Sequence, residues 1–497
     1  MLSTNSELKR LIDELWNKFW SGGIANPLTA IEQITYLIFI RKLDENDSLF
    51  KGVYPEVTEK EQKDIDSGEK DNLKRVQKSK LRWRNFSKIK SREEKLELVR
   101  DFVFPFIKKL NGEHSSFTKY MKNAVFVISS ASLLDDAIKT IDELYIEIEK
   151  DAKENSFQDI QGDVYEMLLN QLSSAGKNGQ FRTPRHIIEL VTDLVDPKRG
   201  DKIGDPACGT GGFLLGAYQH VEDKRKGKKI TSYYGYDIDV TMVRLGLMNL
   251  MMHGINDPKI EYTDTLGKGF NQKENDTYDV ILANPPFTGS LNKDEIDETL
   301  LLKKNNNSSK TELLFIERIH KMLKKGGTAG IIIPQGVLFG NTKAFVKTRE
   351  IMIEESQLKA VISLPSGVFQ PYAGVATAIL IFRKGYTTKD VFFYDMESDG
   401  YSLDVKRKKL DGNSDIDDII EKYKNDNIGK SRESKYFIVS KKEIVDNEYD
   451  LSVNRYREVS YNVKVYDEPS VILEKLSNLE DEIQSELKKV KSLFDVN

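Results

Sequence analysis

Between residues 160 and 385, short apolar runs alternate with helical patterns, and nothing else in the chain limits its fold so strongly. The runs are Lys202-Ile203-Gly204, Ser232 to Tyr236, Lys259 to Tyr262, Val280 to Ala283, Ala329 to Ile333, Ala360 to Leu364 and Thr377 to Phe382. They are nearly unbroken in apolar character, the pattern of strands covered on both faces. Helical periodicity fills most of the gaps, including Thr311 to Lys324. Strand–helix alternation of this kind predicts an α/β fold with a mostly parallel, doubly wound sheet. The last strands lie closer together, which predicts a hairpin at the sheet edge.

The flanks read differently. Over residues 1–155, Leu8, Leu11, Ile12, Leu15 and Phe19 recur at three- and four-residue steps, and Ile31, Ile34 and Ile38 repeat the pattern. An all-helical N-terminal domain is expected there, followed by an α/β domain over 156–390 and a mixed extension over 391–465. Residues 466–497 predict one amphipathic helix, with Ile472, Leu476, Leu479, Ile483, Leu487, Val490 and Phe494 on a single stripe. Such a stripe docks on another domain, on another chain, or on the N-terminal helices. Leu81 to Phe86 alternates cations with aromatics, a pattern that can touch nucleic acid but more often docks its rings in a core. The polar stretch 291–310 predicts a mobile surface loop.

Composition narrows the classes. A chain of 497 residues predicts two or three domains. Lys+Arg 75 against Asp+Glu 79 leaves a net charge of −4, which argues against a surface that wraps nucleic acid over its whole extent. Any DNA contact must be a local patch or be shared with a partner. The single cysteine, Cys208, excludes an internal disulfide and suits a reducing compartment. The N-terminus lacks a signal-peptide layout and no apolar run approaches the ~20 residues of a membrane span, so a cytoplasmic protein without membrane contact is expected. The longest apolar run, Ile34 to Ile40, reads as a buried helix segment. The five histidines show no metal-ligand spacing, and no metal is expected.

Two motifs carry chemistry. Asn284-Pro285-Pro286-Phe287 follows the strand run Tyr278 to Ala283. The prolines stiffen the exit from the strand, Asn284 and the Pro285 carbonyl offer acceptors, and Phe287 offers a ring face. Two acceptors beside a platform suit a planar NH2 group, although four such residues can also make an ordinary tight turn. Asp205-Pro206-Ala207-Cys208-Gly209-Thr210-Gly211-Gly212 follows the first strand and opens a helix, so backbone can approach a ligand there. Asp237, ending the second strand, can hold both hydroxyls of a ribose, and Asp264, after the third, can accept from an adenine amino group. Asp239 reads as a helix cap and Cys208 as a small packing residue. There is no Gly-x-x-x-x-Gly-Lys-[Ser/Thr] loop of an ATP-hydrolysing enzyme.

Together, Asp-Pro-x-x-Gly-Thr-Gly-Gly and Asn-Pro-Pro-Phe resemble the paired motifs of S-adenosylmethionine-dependent amino-methyltransferases acting on adenine N6. Gly179 to Arg185 and Tyr394 to Leu403 are similar to elements of the modification (M) subunits of type I restriction-modification systems, and with the helical N-terminal region the resemblance spans nearly the whole chain. It implies a Rossmann-like S-adenosylmethionine-dependent methyltransferase core between an all-helical N-terminal domain and a helical C-terminal tail. Cofactor binding would fall to Asp205, Gly209, Thr210, Gly211, Gly212, Asp237 and Asp264. Gln180, Phe181, Arg182, Thr183, Pro184 and Arg185 would close over the methionine part, with Arg182 or Arg185 near its carboxylate. In residue terms, Thr183 suits the N-cap and Pro184 the first position of the following helix. Catalysis would fall to Asn284, Pro285, Pro286 and Phe287. Implied partners are double-stranded DNA, a specificity (S) subunit that reads the target, a second M subunit and a restriction (R) subunit. Methylation of a protein glutamine, an RNA amino-methyltransferase, and an assembly subunit without catalysis are the competing readings.

Overall fold

The computed structural model describes residues 5–55, 75–154, 183–223, 231–370, 374–405, 407–424, 431–458 and 468–494. Residues 1–456 form one compact unit, and residues 457–497 form a second. The N-terminal region is helical as its periodicity predicts, but not wholly so: Val53–Tyr54 pairs antiparallel with Val76–Gln77. Helix α1 (Ser6–Ser21) begins where the Asn5 side chain accepts from the Glu7 and Leu8 amides, and it buries Leu8, Leu11, Ile12, Leu15 and Phe19. Helix α2 (Pro27–Leu43) starts on Asn26 with proline in its first turn, and it buries every residue from Ile34 to Ile40. A longer helix, α3 (Ala131–Glu154), packs on α1.

The alternating cations and aromatics of 81–86 prove structural. Trp83 and Phe86 are buried, and the Trp83 indole donates to Asp142 at 2.7 Å. Arg82 and Arg84 grip the buried Asp44 carboxylate at 2.7 and 2.9 Å.

The α/β region builds a nine-stranded sheet. Its strands are β1 (Lys202–Asp205), β2 (Ser232–Asp237), β3 (Lys259–Tyr262), β4 (Tyr278–Ala283), β5 (Leu323–Pro334), β6 (Ser356–Leu364), β7 (Thr377–Lys384), β8 (Asp390–Asp395) and β9 (Tyr436–Ser440). Their spatial order is β9-β8-β6-β7-β5-β4-β1-β2-β3. Strands β3, β2, β1, β4 and β5 run parallel. The order reverses between β1 and β4, and ligands of open α/β sheets bind outside the carboxyl ends of the strands at such a point.

The expected hairpin is not at the edge. Strand β7 lies inside the sheet, antiparallel to both β5 and β6, and β8 and β9 extend the sheet beyond β6. The register pairs Ile331 with Leu380 and Ile362 with Ile379. Those apolar pairs are buried on both faces, which an edge position would not permit. Residues 391–465 thus supply strands to the same sheet.

Alternate strand residues feed two cores. Val280 and Leu282 join the N-terminal helices and α4 (Arg185–Val195), α5 (Gly212–Asp223) and α6 (Val240–Met252) on one face. Ile281 and Ala283 join α7 (Thr311–Met322) and α8 (Lys343–Glu354) on the other. Arg244 on α6 ties the N-terminal helices to the sheet through Glu32 at 2.7 Å and the Tyr120 carbonyl at 3.0 Å.

The segment after Asn284 to Phe287 is more ordered than its polarity suggests. Ile296, Leu300 and Leu302 are buried. Asp297 pairs with the fully buried Arg318, and Glu317 accepts from the Leu301 and Leu302 amides at 2.6 and 2.9 Å. A short helix, Leu301–Asn306, stands where a mobile loop was expected. Asp297 is buried by its pairing, while Lys293, Asp294, Glu295 and Lys304 remain exposed.

The second unit contains helix α9 (Pro469–Phe494), on which Ile472, Leu476, Leu479, Ile483, Leu487 and Val490 are all exposed. Among the described residues, no helix is long and apolar enough to cross a membrane.

Candidate active site

The carboxyl ends of β1, β2 and β4 converge at the reversal point, and each brings one predicted motif. After β1 the chain turns sharply: Gly209 and Gly211 sit at φ +51° and +80°, in the left-handed region that side chains disfavour. A Cβ on Gly209 would meet nothing within 4 Å, so space lies open above the turn. Helix α5 begins at Gly212, directly after it.

Asp237 locks the turn to the end of β2. Its two carboxylate oxygens accept from the Gly209 and Asp239 amides, each at 2.9 Å. Each oxygen retains a second lone pair, which leaves capacity for two further hydroxyl donors. Asp239 caps α6 as predicted, accepting from the Thr241 and Met242 amides at 2.8 and 3.4 Å. Between the two aspartates, Ile238 is 68% exposed, an apolar side chain left open at the rim of the site. Sequence reasoning passed over it, although an isoleucine between two aspartates at a strand end was the available signal. Asp264 is exposed and accepts from the Leu266 amide at 2.9 Å.

Burial governs the charges here. Asp205 is buried, which pushes its carboxyl up to about 8; the Ala207 amide opposes that rise and nearby Asp237 adds to it. Asp237 is raised by burial too, against the pull of the Asp239 and Gly209 amides. Burial also drives the Cys208 thiol well up, so it is a neutral packing group and no thiolate nucleophile. The buried Asn249 on α6 donates to the Thr210 carbonyl at 2.9 Å and supports the turn from behind. It was missed in the sequence, where its signal was one amide inside an apolar helix.

At the end of β4, Pro285 and Phe287 are buried, Pro286 is exposed and Asn284 is half-buried. The Asn284 amide donates from Nδ2 to the Thr183 hydroxyl at 3.0 Å. Its Oδ1 is buried with no hydrogen-bond partner. The Phe287 ring is not an open platform: it is 2% exposed and meets Phe369 edge to face, with centroids 5.4 Å apart at 87°. A base can stack there only if this aromatic pair moves.

Thr183 does not cap the next helix. Pro184 occupies the N-cap of α4, and its carbonyl accepts from the Ile187 and Ile188 amides at 3.0 Å. The threonine hydroxyl is engaged by Asn284 instead, and this shifts the helix start by one residue. Arg185 opens α4 and pairs with Glu189 at 3.1 Å. Gln180, Phe181 and Arg182 lie outside the described residues. Next to Arg185, His186 bonds Asp399 at 2.8 Å and stacks on Tyr401 with ring centroids 4.4 Å apart. Among the described residues, no group of His, Cys, Asp and Glu could hold a metal ion.

The glycine turn, the hydroxyl-binding capacity of Asp237 and the exposed Ile238 fit a nucleoside-bearing cofactor, and the orphaned Asn284 oxygen fits an amine acceptor. The N-6 DNA methylase family model matches residues 156–464, and the HsdM N-terminal domain model matches residues 8–141. The EcoEI methylase subunit of a type I restriction enzyme from Escherichia coli is 30% identical over 410 residues, which span 79% of this chain and 78% of that protein. The MpnII methylase subunit from Mycoplasma pneumoniae is 28% identical over 376 residues, 70% of this chain and 67% of its own length. A structure from a study of complex assembly and conformational transition in the type I restriction-modification system aligns over 99% of both chains, with a TM-score of 0.63 and 25% identity. The fold is shared with a type I methyltransferase subunit from Streptococcus thermophilus, at a TM-score of 0.64 and 21% identity over 91% of this chain and all of that one. The chain belongs to the N-6 DNA methylase family, among the methylase subunits of type I restriction enzymes.

Proposed function

We propose that this methylase subunit transfers a methyl group from S-adenosylmethionine to N6 of adenine in double-stranded DNA. The observation that carries this reading is the Asn284 Oδ1, a buried acceptor without a partner beside the glycine turn. A buried acceptor left unsatisfied costs about 1–3 kcal/mol, a cost recovered when a donor arrives. An exocyclic NH2 supplies that donor.

S-adenosylmethionine supplies a methyl group on a positively charged sulfur, already a good leaving group. The chain's own task is therefore alignment, which can contribute roughly 7–11 kcal/mol in favourable cases. Gly209, Thr210, Gly211 and Gly212 admit the cofactor to the backbone, Asp237 holds its ribose, Asp264 its adenine amino group, and Ile238 covers the purine. Asp205 and residues 180–185 serve the methionine part. Asn284 and the Pro285 carbonyl accept from the target NH2 and draw its lone pair out of ring conjugation. These bonds speed transfer to the extent that they strengthen in the transition state. The target base leaves the duplex at a cost of a few kcal/mol, and stacking on Phe287 offsets part of it.

A net charge of −4 supports target reading by a separate specificity subunit; in this reading the full assembly also holds a second methylase copy and a restriction subunit. In this reading residues 1–155 are a helical domain, 156–390 the catalytic domain with 391–465 as its extension, and 466–497 a docking helix whose exposed stripe meets a partner. Such work on DNA belongs in the cytoplasm. The test is transfer of tritium from labelled S-adenosylmethionine to DNA, with and without a co-expressed specificity subunit. Incorporation that Asn284→Ala abolishes, with cofactor binding retained, is expected; no incorporation under either condition would sink the proposal.

A further inference from the structure

The hydroxyl of Thr183 has one described use, and it is not the one its position before a helix suggests. Helix α4 is capped by the Pro184 carbonyl, and no side-chain cap bond forms. Thr183 is 8% exposed, and its Oγ1 accepts from Asn284 Nδ2 at 3.0 Å across 101 positions of sequence. The other half of the same amide, Oδ1, is the buried atom without a partner.

An asparagine amide presents a donor edge and an acceptor edge, and rotation by half a turn exchanges them. For a target NH2 the two orientations are opposite in effect. With Oδ1 outward the amine finds an acceptor; with Nδ2 outward, two donors face each other. Here the Thr183 hydroxyl accepts from the donor edge and anchors the amide with Oδ1 as the edge left for an amine. The threonine is itself held. Ile187, Ile188, Leu190, Val191 and Leu194 bury α4, and His186 in its first turn is bound to the buried Asp399. A hydroxyl two residues ahead of a clamped helix start has little freedom to follow a rotating amide.

We infer that Thr183 is a positioning residue that aims the Asn284 carbonyl oxygen at the target amine. This rests on the amino-methyltransferase reading above and gives Thr183 a duty distinct from holding the cofactor.

The full chain, co-expressed with its specificity subunit, is assayed for single-turnover methylation of duplex DNA at saturating S-adenosylmethionine. Thr183→Val keeps the side-chain shape and removes the hydroxyl. Its methylation rate is expected to fall roughly ten- to hundredfold, as misplacement of a reacting group does. S-adenosylmethionine affinity is measured by calorimetry in parallel; the loss of rate should persist at saturating cofactor whatever that affinity, and Thr183→Ser should restore most of the rate. Thermal melting checks the fold, and Thr183→Ala is judged by the same criteria if the valine variant melts early. A wild-type rate in the hydroxyl-free variants overturns the inference. So does a loss of rate that more cofactor repairs, because Thr183 would then serve cofactor binding alone. An inactive wild-type complex is a different failure, which removes the parent reading and this inference together.

Discussion

The His186 imidazole and the Asp399 carboxylate, 213 positions apart in sequence, meet at 2.8 Å and pin the first turn of α4 to the strand Asp399–Tyr401. Arg407 binds the same carboxylate, and Tyr401 stacks on the imidazole. Burial pushes the Asp399 carboxyl up, yet the bonds from His186 and Arg407 outweigh it and hold it below its ordinary value. A carboxyl depressed in the folded state contributes stability above its unfolded value, and that contribution is lost as pH falls through the folded one. Asp399→Asn should therefore cost about 3 kcal/mol or more at pH 7, as removal of one partner from a buried pair does. Denaturant melts at pH 7 and in acid check this: the gap to wild type should narrow on acidification.

Asp205 should behave in the opposite way. Its carboxyl is raised to about 8, chiefly by burial. The unfolded chain ionises this group near pH 4 while the folded chain holds the proton, so its effect is a destabilisation that grows from about pH 4 to about pH 8. Asp205→Asn keeps an acceptor for the Ala207 amide and removes the titration. Without cofactor, the variant should match wild type near pH 4 and exceed it at pH 8, while its affinity for S-adenosylmethionine falls. Melting curves at the two pH values, with calorimetry, decide this.

Phe287 has to serve in two states. Its edge-to-face contact with Phe369 belongs to a packed core, so Phe287→Ala should cost about 3–5 kcal/mol of stability, the usual loss for a buried phenylalanine. If the ring also receives the flipped base, the fluorescence rise of 2-aminopurine at the target should disappear in this variant and persist in Phe287→Tyr. An undiminished rise in Phe287→Ala would separate the ring from base binding.

The exposed stripe of α9 makes a prediction about assembly. Leu476, Ile483 and Leu487 are 58%, 56% and 53% exposed. Leu476→Glu combined with Leu487→Glu should prevent co-purification with the specificity subunit, leaving the melting midpoint and cofactor affinity as in wild type. Mass measurement of the purified complex provides the readout, and an intact complex would assign the docking elsewhere.

What could be read from the sequence divides by range. The glycine turn, Asp237 and the Asn284 tetrapeptide were legible because each sits at a strand end marked by glycine, aspartate or proline within a few residues. The place of β7 between β5 and β6 was not. An antiparallel insertion is set by pairing across the sequence, Ala329 with Phe382 and Ile362 with Ile379, 53 and 17 positions apart, and no local pattern encodes it. The order in 291–310 escaped notice for the same reason, since Asp297 and Glu317 find their partners only once α7 is in place. Thr183 looked like a cap because a threonine before a proline usually serves the local helix. Its actual partner, Asn284, is brought by the sheet.

The most direct test is nucleoside mass analysis of duplex DNA treated with the full complex and S-adenosylmethionine, using wild-type chain and Asn284→Ala in parallel. The account predicts N6-methyladenine as the modified nucleoside with wild type and none with the variant. Methylcytosine in place of methyladenine, or equal methyladenine from both proteins, would contradict it.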